Sequence, residues 1–176
     1  RLGVRQVKTG YVADGGDIKR VDENGVARYE WHDGQYMVGQ YLASVTVAAK
    51  RKISINTHEP VKDTGLRRTY PNWISREGAR GQEFNAWGDP GNPPEHAAVL
   101  AYTRMLAGPM DFTPGGFLAV PEAEFEITSP TTVMGTRARQ LAMPVIYESP
   151  LTILCDSPAN YRGQTGVEFY RDLPTV

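Results

Sequence analysis

The sequence predicts an α/β fold with a parallel sheet, because short strand-like runs alternate with longer segments of helical period. Residues 4 to 8 and 53 to 56 are typical of strands, and residues 35 to 50 between them are typical of a helix. A strand, a helix and a second strand in this order form a right-handed crossover between parallel neighbours. Counting runs of the same kind along the chain gives about five strands.

The predicted helix over residues 35 to 50 is amphipathic, since its apolar residues recur at helical spacing: Met37, Tyr41, Val45 and Ala48. Before it, residues 13 to 34 are polar and glycine-rich and predict a long loop, with a tight turn at Asn24 and Gly25. The other elements to which we assign residues are two strands, over residues 110 to 112 and 151 to 155, and three helices, over residues 93 to 106, 131 to 147 and 166 to 173. Pro144 is expected to kink the helix that contains it.

Polar side chains follow the ends of the predicted strands: Lys8 with Thr9, His58 with Glu59, Asp111 with Thr113, and Asp156. A (β/α)8 barrel places its active site at this edge of its sheet. We therefore interpret the chain as the later part of such a barrel, whose first strands lie outside this sequence. A doubly wound open sheet is the alternative, although no glycine-rich phosphate fingerprint follows the first strand.

Composition argues against several classes of function. The 19 Lys and Arg residues nearly balance 20 Asp and Glu residues and are scattered, so nothing favours a nucleic acid or an anionic membrane as partner. No apolar run approaches the roughly 20 residues of a membrane-spanning helix, and the first residues lack the apolar segment of a signal peptide. The single cysteine, Cys155, lies in a strand-like run and is expected to be buried and structural. Since the first residue is Arg1, we expect a piece of a longer protein.

Three glutamates and a histidine collect in the irregular segment that follows residues 53 to 56. They are His58, Glu59, Glu77 and Glu83. The glutamates are either surface acids, or oxygen ligands of a hard cation such as Ca²⁺, or the acid and base of glycoside hydrolysis. The last two interpretations are compatible, because a metal beside the base would position it.

Aromatic residues accompany these acids and either stack on sugar rings or pack beneath a loop: Tyr70, Trp73, Phe84 and Trp87. Arg67 and Arg68 either hold carboxylates or are exposed. The other two histidines, His32 and His96, are expected to be surface or packing residues, the alternative for His96 being contact with a substrate.

Longer motifs resemble glycoside hydrolase family 97. They are HEPVKDTGLRRTYPNWISREGARGQEFNAWG at 58 to 88, RMLAGPMDFTPGGF at 104 to 117, VKTGYV at 7 to 12, RQLAMPVIYESPL and NYRG. The resemblance covers nearly the whole chain. It implies a (β/α)8 catalytic barrel between a β-sandwich and a C-terminal β-domain, acting on α-glucosides or α-galactosides with Ca²⁺. Because such enzymes are several times longer, residues 1 to 176 are expected to be one partial catalytic domain with about strands 4 to 8 of the barrel.

The resemblance also implies roles for single residues. Glu83 looks like the general acid, and Glu59 looks like a general base and calcium ligand. Glu77 looks like a further calcium ligand, and Glu83 looks like a third ligand of the same ion. Lys8 and His58 look like substrate-contacting residues. A second base and another calcium ligand are expected from the N-terminal sandwich and early barrel strands of the same polypeptide.

The family has a retaining and an inverting branch. Retaining members carry an aspartate nucleophile after the strand-end lysine, where this sequence has Thr9 and Gly10, and lack the glutamate after the histidine. The sequence therefore resembles the inverting, α-glucosidase-like branch.

We accordingly expect a longer, calcium-dependent enzyme that hydrolyses α-glucosidic bonds in oligosaccharides with inversion of configuration. The isolated 176-residue chain is expected to be inactive. The alternatives are an α-galactosidase of the same family and an inactive carbohydrate-binding fragment. The expected partner is an α-linked oligosaccharide, without nucleic acid or membrane insertion. Family resemblance implies a bacterial periplasmic or secreted location.

Overall fold

The computed structural model describes residues 2 to 10 and 15 to 174, which fall into two compact units, Arg1–Gly78 and Ala79–Val176. Each unit has a hydrophobic core of its own. The assignment of residues 1 to 176 to a single partial barrel domain stays a prediction. Within the described residues, no helix is long and apolar enough to cross a membrane.

The first unit is built on a parallel sheet. Its elements are β1 (Gln6–Thr9), β2 (Ile18–Val21), β3 (Ala27–Glu30), α1 (Gln35–Ala49), β4 (Ser54–Thr57), α2 (Leu66–Thr69) and β5 (Trp73–Arg76). The sheet has three strands in the order β1-β4-β5, all parallel. The alternation of strand and helix therefore gives the α/β fold that the sequence predicts. The more specific prediction, strands 4 to 8 of a (β/α)8 barrel, stays a prediction.

Helix α1 confirms the amphipathic pattern. The four apolar residues at helical spacing are all buried, and they pack with Ile55 of β4 and Trp73 of β5. Removing an apolar side chain of this size from water contributes roughly 1.5–3 kcal/mol. The crossover helix is therefore fixed on the face of the sheet by its own sequence pattern.

The prediction of a long loop over residues 13 to 34 is wrong for the described part, since β2 and β3 form an antiparallel hairpin. Residues 13 and 14 lie outside the described residues. The expected turn is present: the Asp22 carboxylate accepts hydrogen bonds from the backbone of Asn24 and Val26, at 2.9 and 3.0 Å, and Gly25 takes a φ of +79°. The strands were missed because most of their side chains are exposed, so the sequence shows no apolar alternation.

Strand β5 was also missed, because the segment between Glu59 and Glu83 was expected to be irregular. Its buried side chains include Ser75 and Arg76, so the strand lacks the apolar pattern that identifies buried strands.

The second unit is built mainly from helical turns. Its regular elements are α3 (Pro94–Tyr102), β6 (Ala119–Val120), β7 (Val133–Met134), α4 (Arg137–Ile146) and α5 (Pro158–Tyr161). Short 3₁₀ helices cover Gln82–Ala86, Arg104–Ala107, Glu122–Glu124 and Val167–Arg171. Strands β6 and β7 pair in parallel. The three predicted helices are present but shorter, the last one as a 3₁₀ helix, and Pro144 lies inside α4.

Two strand predictions in this unit are wrong. The structure describes residues 110 to 112 and 151 to 155, and neither segment is a regular strand, Met110 forming only an isolated bridge. Cys155 is exposed rather than buried. The buried segment that follows Met110 obtains part of its hydrogen bonds from a side chain: Gln140 Oε1 accepts from the backbone N–H groups of Gly115 and Gly116, at 2.8 and 3.2 Å. Side-chain partners of this kind allow an irregular backbone to be buried.

Candidate active site at the carboxyl edge of the sheet

The three strands of the parallel sheet end side by side. The register pairs Thr9 with Thr57, and Thr57 with Arg76. The ladder continues one step further, because the backbone N–H of His58 donates to the carbonyl of Thr9 at 2.7 Å and that of Glu77 donates to Thr57 at 3.0 Å. The residues that leave the sheet at this edge therefore carry the polar groups expected there.

His58 and Glu77 form a buried pair. Nδ1 of His58 lies 3.2 Å from Oε2 of Glu77, and the residues are only 2% and 8% exposed. Since a carboxylate oxygen accepts hydrogen bonds, Nδ1 of His58 carries the proton in this pair. The pairing orients the imidazole and gives the buried Glu77 carboxylate a hydrogen-bond donor, which offsets part of the cost of its burial.

Glu59 has an unusual backbone conformation. Its φ is +43°, in the left-handed region that a residue with a side chain rarely adopts. Its carbonyl accepts a hydrogen bond from the Tyr41 hydroxyl at 2.9 Å and a second from Nε2 of His32. Burial raises the pKa of Tyr41 to about 12, and the charges of Asp33 and Glu59 add to the effect. The hydroxyl is therefore protonated, and able to donate, throughout the physiological range.

Gly10 leaves no room for a side chain beside Glu59. A Cβ atom built at Gly10 would lie 2.8 Å from Oε2 of Glu59 and 2.9 Å from Cβ of His58. Both distances are below van der Waals contact, and the second atom belongs to the rigid start of a side chain. Only glycine fits at position 10 in this arrangement.

A second set of buried charges holds the loop that carries Glu59. The Asp63 carboxylate accepts hydrogen bonds from the backbone of Gly65 at 2.7 Å and from Nε of Arg67 at 2.9 Å. The buried Arg76 guanidinium donates to the carbonyls of Val61 and Lys62, at 3.1 and 3.3 Å. Arg67 therefore does hold a carboxylate, and β5 anchors the loop that follows β4.

Trp73 packs inside the unit rather than beside a substrate. Its indole Nε1 donates to the Thr57 hydroxyl at 2.9 Å, and it is 2% exposed. The packing interpretation holds for this aromatic residue. Lys8 differs, since its side chain is exposed on β1, opposite Asn56 of β4 in the register.

Glu83 belongs to the second unit. It is half-buried in the 3₁₀ helix Gln82–Ala86, whose first residue donates its N–H to the Phe112 carbonyl at 2.8 Å. Asn92 steadies the start of this helix, because its Nδ2 donates to the Gly81 carbonyl at 2.7 Å. His96 is a packing residue here, its Nε2 lying 2.7 Å from the Arg80 carbonyl oxygen.

The aromatic residues after Glu83 lie at the surface of the second unit. Trp87 is 62% exposed and meets Phe84 edge to face, with ring centres 6.3 Å apart. The Arg80 guanidinium lies 4.8 Å from the centre of the Phe84 ring. Either sugar stacking or packing fits these positions.

Comparison with known proteins assigns the chain to a family. The family model described as glycoside hydrolase 97 matches residues 1–79. Solved structures of a glycoside hydrolase family 97 enzyme from Pseudoalteromonas sp. strain K8 are 60% identical and superpose with a TM-score of 0.87, over 98% of this chain and 26% of theirs. The chain belongs to glycoside hydrolase family 97. The resemblance predicted from the motifs is thereby confirmed.

Two curated relatives are less similar in sequence. A retaining alpha-galactosidase of Bacteroides thetaiotaomicron is 35% identical over 147 residues, and a probable retaining alpha-galactosidase of Streptomyces bingchenggensis is 29% identical over 121 residues. These alignments cover 82% and 69% of this chain, but the chain spans only 22% and 17% of the relatives' length. A beta-arabinopyranosidase structure, 17% identical with a TM-score of 0.63, shares the fold over 99% of this chain and 25% of its own.

The structure of this family 97 segment gathers three predicted residues at one edge of the first unit: His58, Glu59 and Glu77. Their roles, and those of Lys8 and Glu83, stay predictions. Sequence reasoning missed the contacts of His32 and Tyr41 with Glu59. Tyr41 was recognised only as an apolar residue at helical spacing, which gives no sign of where its hydroxyl lies.

Proposed function

We propose that the chain is part of a calcium-dependent α-glucosidase that hydrolyses α-linked oligosaccharides with inversion of configuration. The close approach of Gly10 to the Glu59 carboxylate carries this proposal. A retaining mechanism needs a carboxylate nucleophile, and the resemblance puts that nucleophile after the strand-end lysine, in the region of positions 9 and 10. Thr9 and Gly10 stand there instead, and a side chain at position 10 would overlap Glu59 and His58.

In the proposed reaction the two carboxyl groups act on opposite sides of the sugar. The Glu83 carboxyl gives its proton to the glycosidic oxygen as the bond from that oxygen to C1 breaks. The Glu59 carboxylate takes a proton from a water molecule, whose oxygen forms the new bond to C1 from the other face. Inversion requires carboxyl groups about 6.5–9.5 Å apart, which leaves room for that water. Lys8 and His58 are proposed to contact the substrate.

We propose Glu59, Glu77 and Glu83 as calcium ligands, the last on the resemblance alone. The donor chemistry fits, because Ca²⁺ is bound by oxygen ligands and carboxylates above all. The burial of Glu77 also fits, since a buried carboxylate is stabilised by a cation. Bound calcium would supply positive charge that positions the base carboxylate and tunes its pKa.

An oligosaccharide substrate is supported by the Pseudoalteromonas enzyme, whose structures were solved in complex with acarbose and with panose. The identity is 60% over the aligned part, which covers 98% of this chain and 26% of that enzyme. A periplasmic or secreted location remains part of the proposal.

The alternative within the family is a retaining α-galactosidase, which the names of the two curated relatives favour. The alternative from another class is a protein that binds carbohydrate without hydrolysing it. Assays of the full-length protein separate the three: maltooligosaccharides and aryl α-glucosides are cleaved in the first case, aryl α-galactosides in the second, and neither in the third.

The stereochemical test follows the sugar released from an aryl α-glucoside by ¹H NMR, before mutarotation mixes the anomers. We expect the β-anomer first. Release of the α-anomer would refute inversion.

The role of Glu83 is tested by Glu83→Gln, with the exposed Glu122→Gln as matched control in the same unit. We expect a large loss of kcat on maltooligosaccharides and a smaller loss on aryl glucosides with good leaving groups, because these need little protonation. An equal loss on both substrates would contradict the acid role.

A further inference from the structure

The backbone carbonyl of Glu59 is held from two directions. Tyr41 reaches it from helix α1 with a 2.9 Å hydrogen bond, and His32 reaches it from the segment that joins β3 to α1. The two rings lie next to each other, with centres 6.4 Å apart. Because a carbonyl oxygen only accepts, the Tyr41 hydroxyl and Nε2 of His32 must both be donors, which fixes the proton on Nε2.

The segment carrying His32 is itself constrained. The backbone N–H of His32 donates to the Gly15 carbonyl at 2.9 Å, and that of Gly34 donates to Trp31 at 2.8 Å, which closes a tight turn. A Cβ atom at Gly34 would lie 2.9 Å from the Trp31 carbonyl oxygen, so the turn requires glycine. The β2–β3 hairpin and the turn after it therefore hold the His32 ring against the Glu59 carbonyl.

These contacts act on a residue whose conformation needs support. A left-handed glutamate is disfavoured, and such conformations persist only where the surrounding structure over-determines them. Holding the Glu59 carbonyl restrains the backbone torsions of Glu59, chiefly ψ, and these set the direction of its Cα–Cβ bond. Two donors on the carbonyl thus restrict the positions that the carboxylate can reach.

We infer that His32 and Tyr41 are positioning residues, which hold the Glu59 carbonyl and thereby aim the Glu59 carboxylate. This inference rests on the proposed catalytic role of Glu59. It gives a function to the β2–β3 hairpin and the following turn, which otherwise contribute no residue to the proposed reaction.

The test compares kcat and KM of the full-length enzyme and its variants on an aryl α-glucoside at saturating calcium. Tyr41→Phe and His32→Leu each remove one donor, and we expect kcat to fall about tenfold with KM nearly unchanged. His32→Gln retains an N–H donor at similar reach and should recover most of kcat. Tyr29→Phe removes an exposed hydroxyl from the same hairpin and should match the wild type.

Thermal unfolding separates positioning from folding. A variant whose Tm matches the wild type while kcat falls supports the inference, and so does partial recovery by His32→Gln. Wild-type kcat in both Tyr41→Phe and His32→Leu would overturn it, as would a loss of kcat that follows Tm in all variants. Glu59→Gln separates the catalytic role of Glu59 from the positioning role of His32 and Tyr41. Full activity of Glu59→Gln would refute the catalytic role. If Glu59→Gln is inactive while the variants at positions 32 and 41 keep wild-type activity, only the positioning inference is refuted.

Discussion

The guanidinium carbon of Arg76 lies 3.3 Å from the centre of the Trp73 ring, so the cation stacks directly on the indole. Both residues belong to β5 and are almost completely buried. The same guanidinium reaches the loop after β4 through two backbone carbonyls. One buried cation thus connects the sheet to the loop that carries Glu59.

Replacing that cation with an apolar side chain of similar length should destabilise the protein. Nη2 of Arg76 also lies 3.8 Å from Oδ1 of the buried Asp63. For Arg76→Met we expect the free energy of unfolding to fall by about 3 kcal/mol, because Asp63 loses this cation and two carbonyls lose their donor. Urea unfolding of the full-length protein measures the change. Arg68→Met, at an exposed position of α2, is the control and should change little. Equal stability of both variants would contradict the anchoring role of Arg76.

Removing the charge of Glu77 should weaken calcium binding more than folding. For Glu77→Gln we expect the calcium concentration that gives half-maximal activity to rise about tenfold or more, since such losses accompany damage to a metal site. Activity is titrated after chelation and stepwise return of calcium. The exposed Glu23→Gln in the β2–β3 turn is the matched control. An unchanged calcium requirement in Glu77→Gln would remove this residue from the proposed ligand set.

A methyl group at position 10 should disturb the active site. For Gly10→Ala we expect activity to fall between about tenfold and a hundredfold, because His58 or Glu59 must move to relieve the overlap, and small misplacements have effects of this size. Gly39→Ala is the control, since a Cβ there meets open space on α1. It should leave activity unchanged and stabilise the helix by about 0.5–1 kcal/mol. Full activity of Gly10→Ala would show that the site has room for a side chain.

In the second unit, Gln140 should be critical for stability. Gln140→Ala leaves the backbone N–H groups of Gly115 and Gly116 buried without their acceptor, and we expect a loss of about 3 kcal/mol. Urea unfolding again provides the measurement. Gln40→Ala on the exposed face of α1 should stay within about 0.5 kcal/mol of the wild type. A similarly small effect at position 140 would mean that water replaces the side chain.

The sequence predicts those parts of the fold in which the spacing of buried residues matches the geometry of a helix or a strand. Helix α1 has apolar residues at every turn, and β4 places Ile55 among polar residues just before His58 and Glu59. The hairpin and β5 could not be found this way, because one is largely exposed and the other buries polar side chains. In these segments backbone pairing and tertiary contacts decide the structure.

The candidate site was predictable to a similar extent. His58 and Glu59 end one strand, and parallel strands end at a common edge, so their location follows from the pattern. The contacts of His32 and Tyr41 with a backbone carbonyl did not follow from it. They depend on how a turn and a helix approach Glu59 in three dimensions, and the pattern of residue types along the chain does not reveal that approach.

The overlap between position 10 and Glu59 also has an evolutionary consequence. According to the family resemblance, retaining relatives carry an aspartate after the strand-end lysine, where this sequence has Thr9 and Gly10, and no glutamate after the histidine. If both carboxylates compete for the same volume, neither substitution alone gives a working intermediate between the two branches. The branches would then be separated by a fitness valley that only coupled changes cross, and position 10 would covary with position 59 across the family.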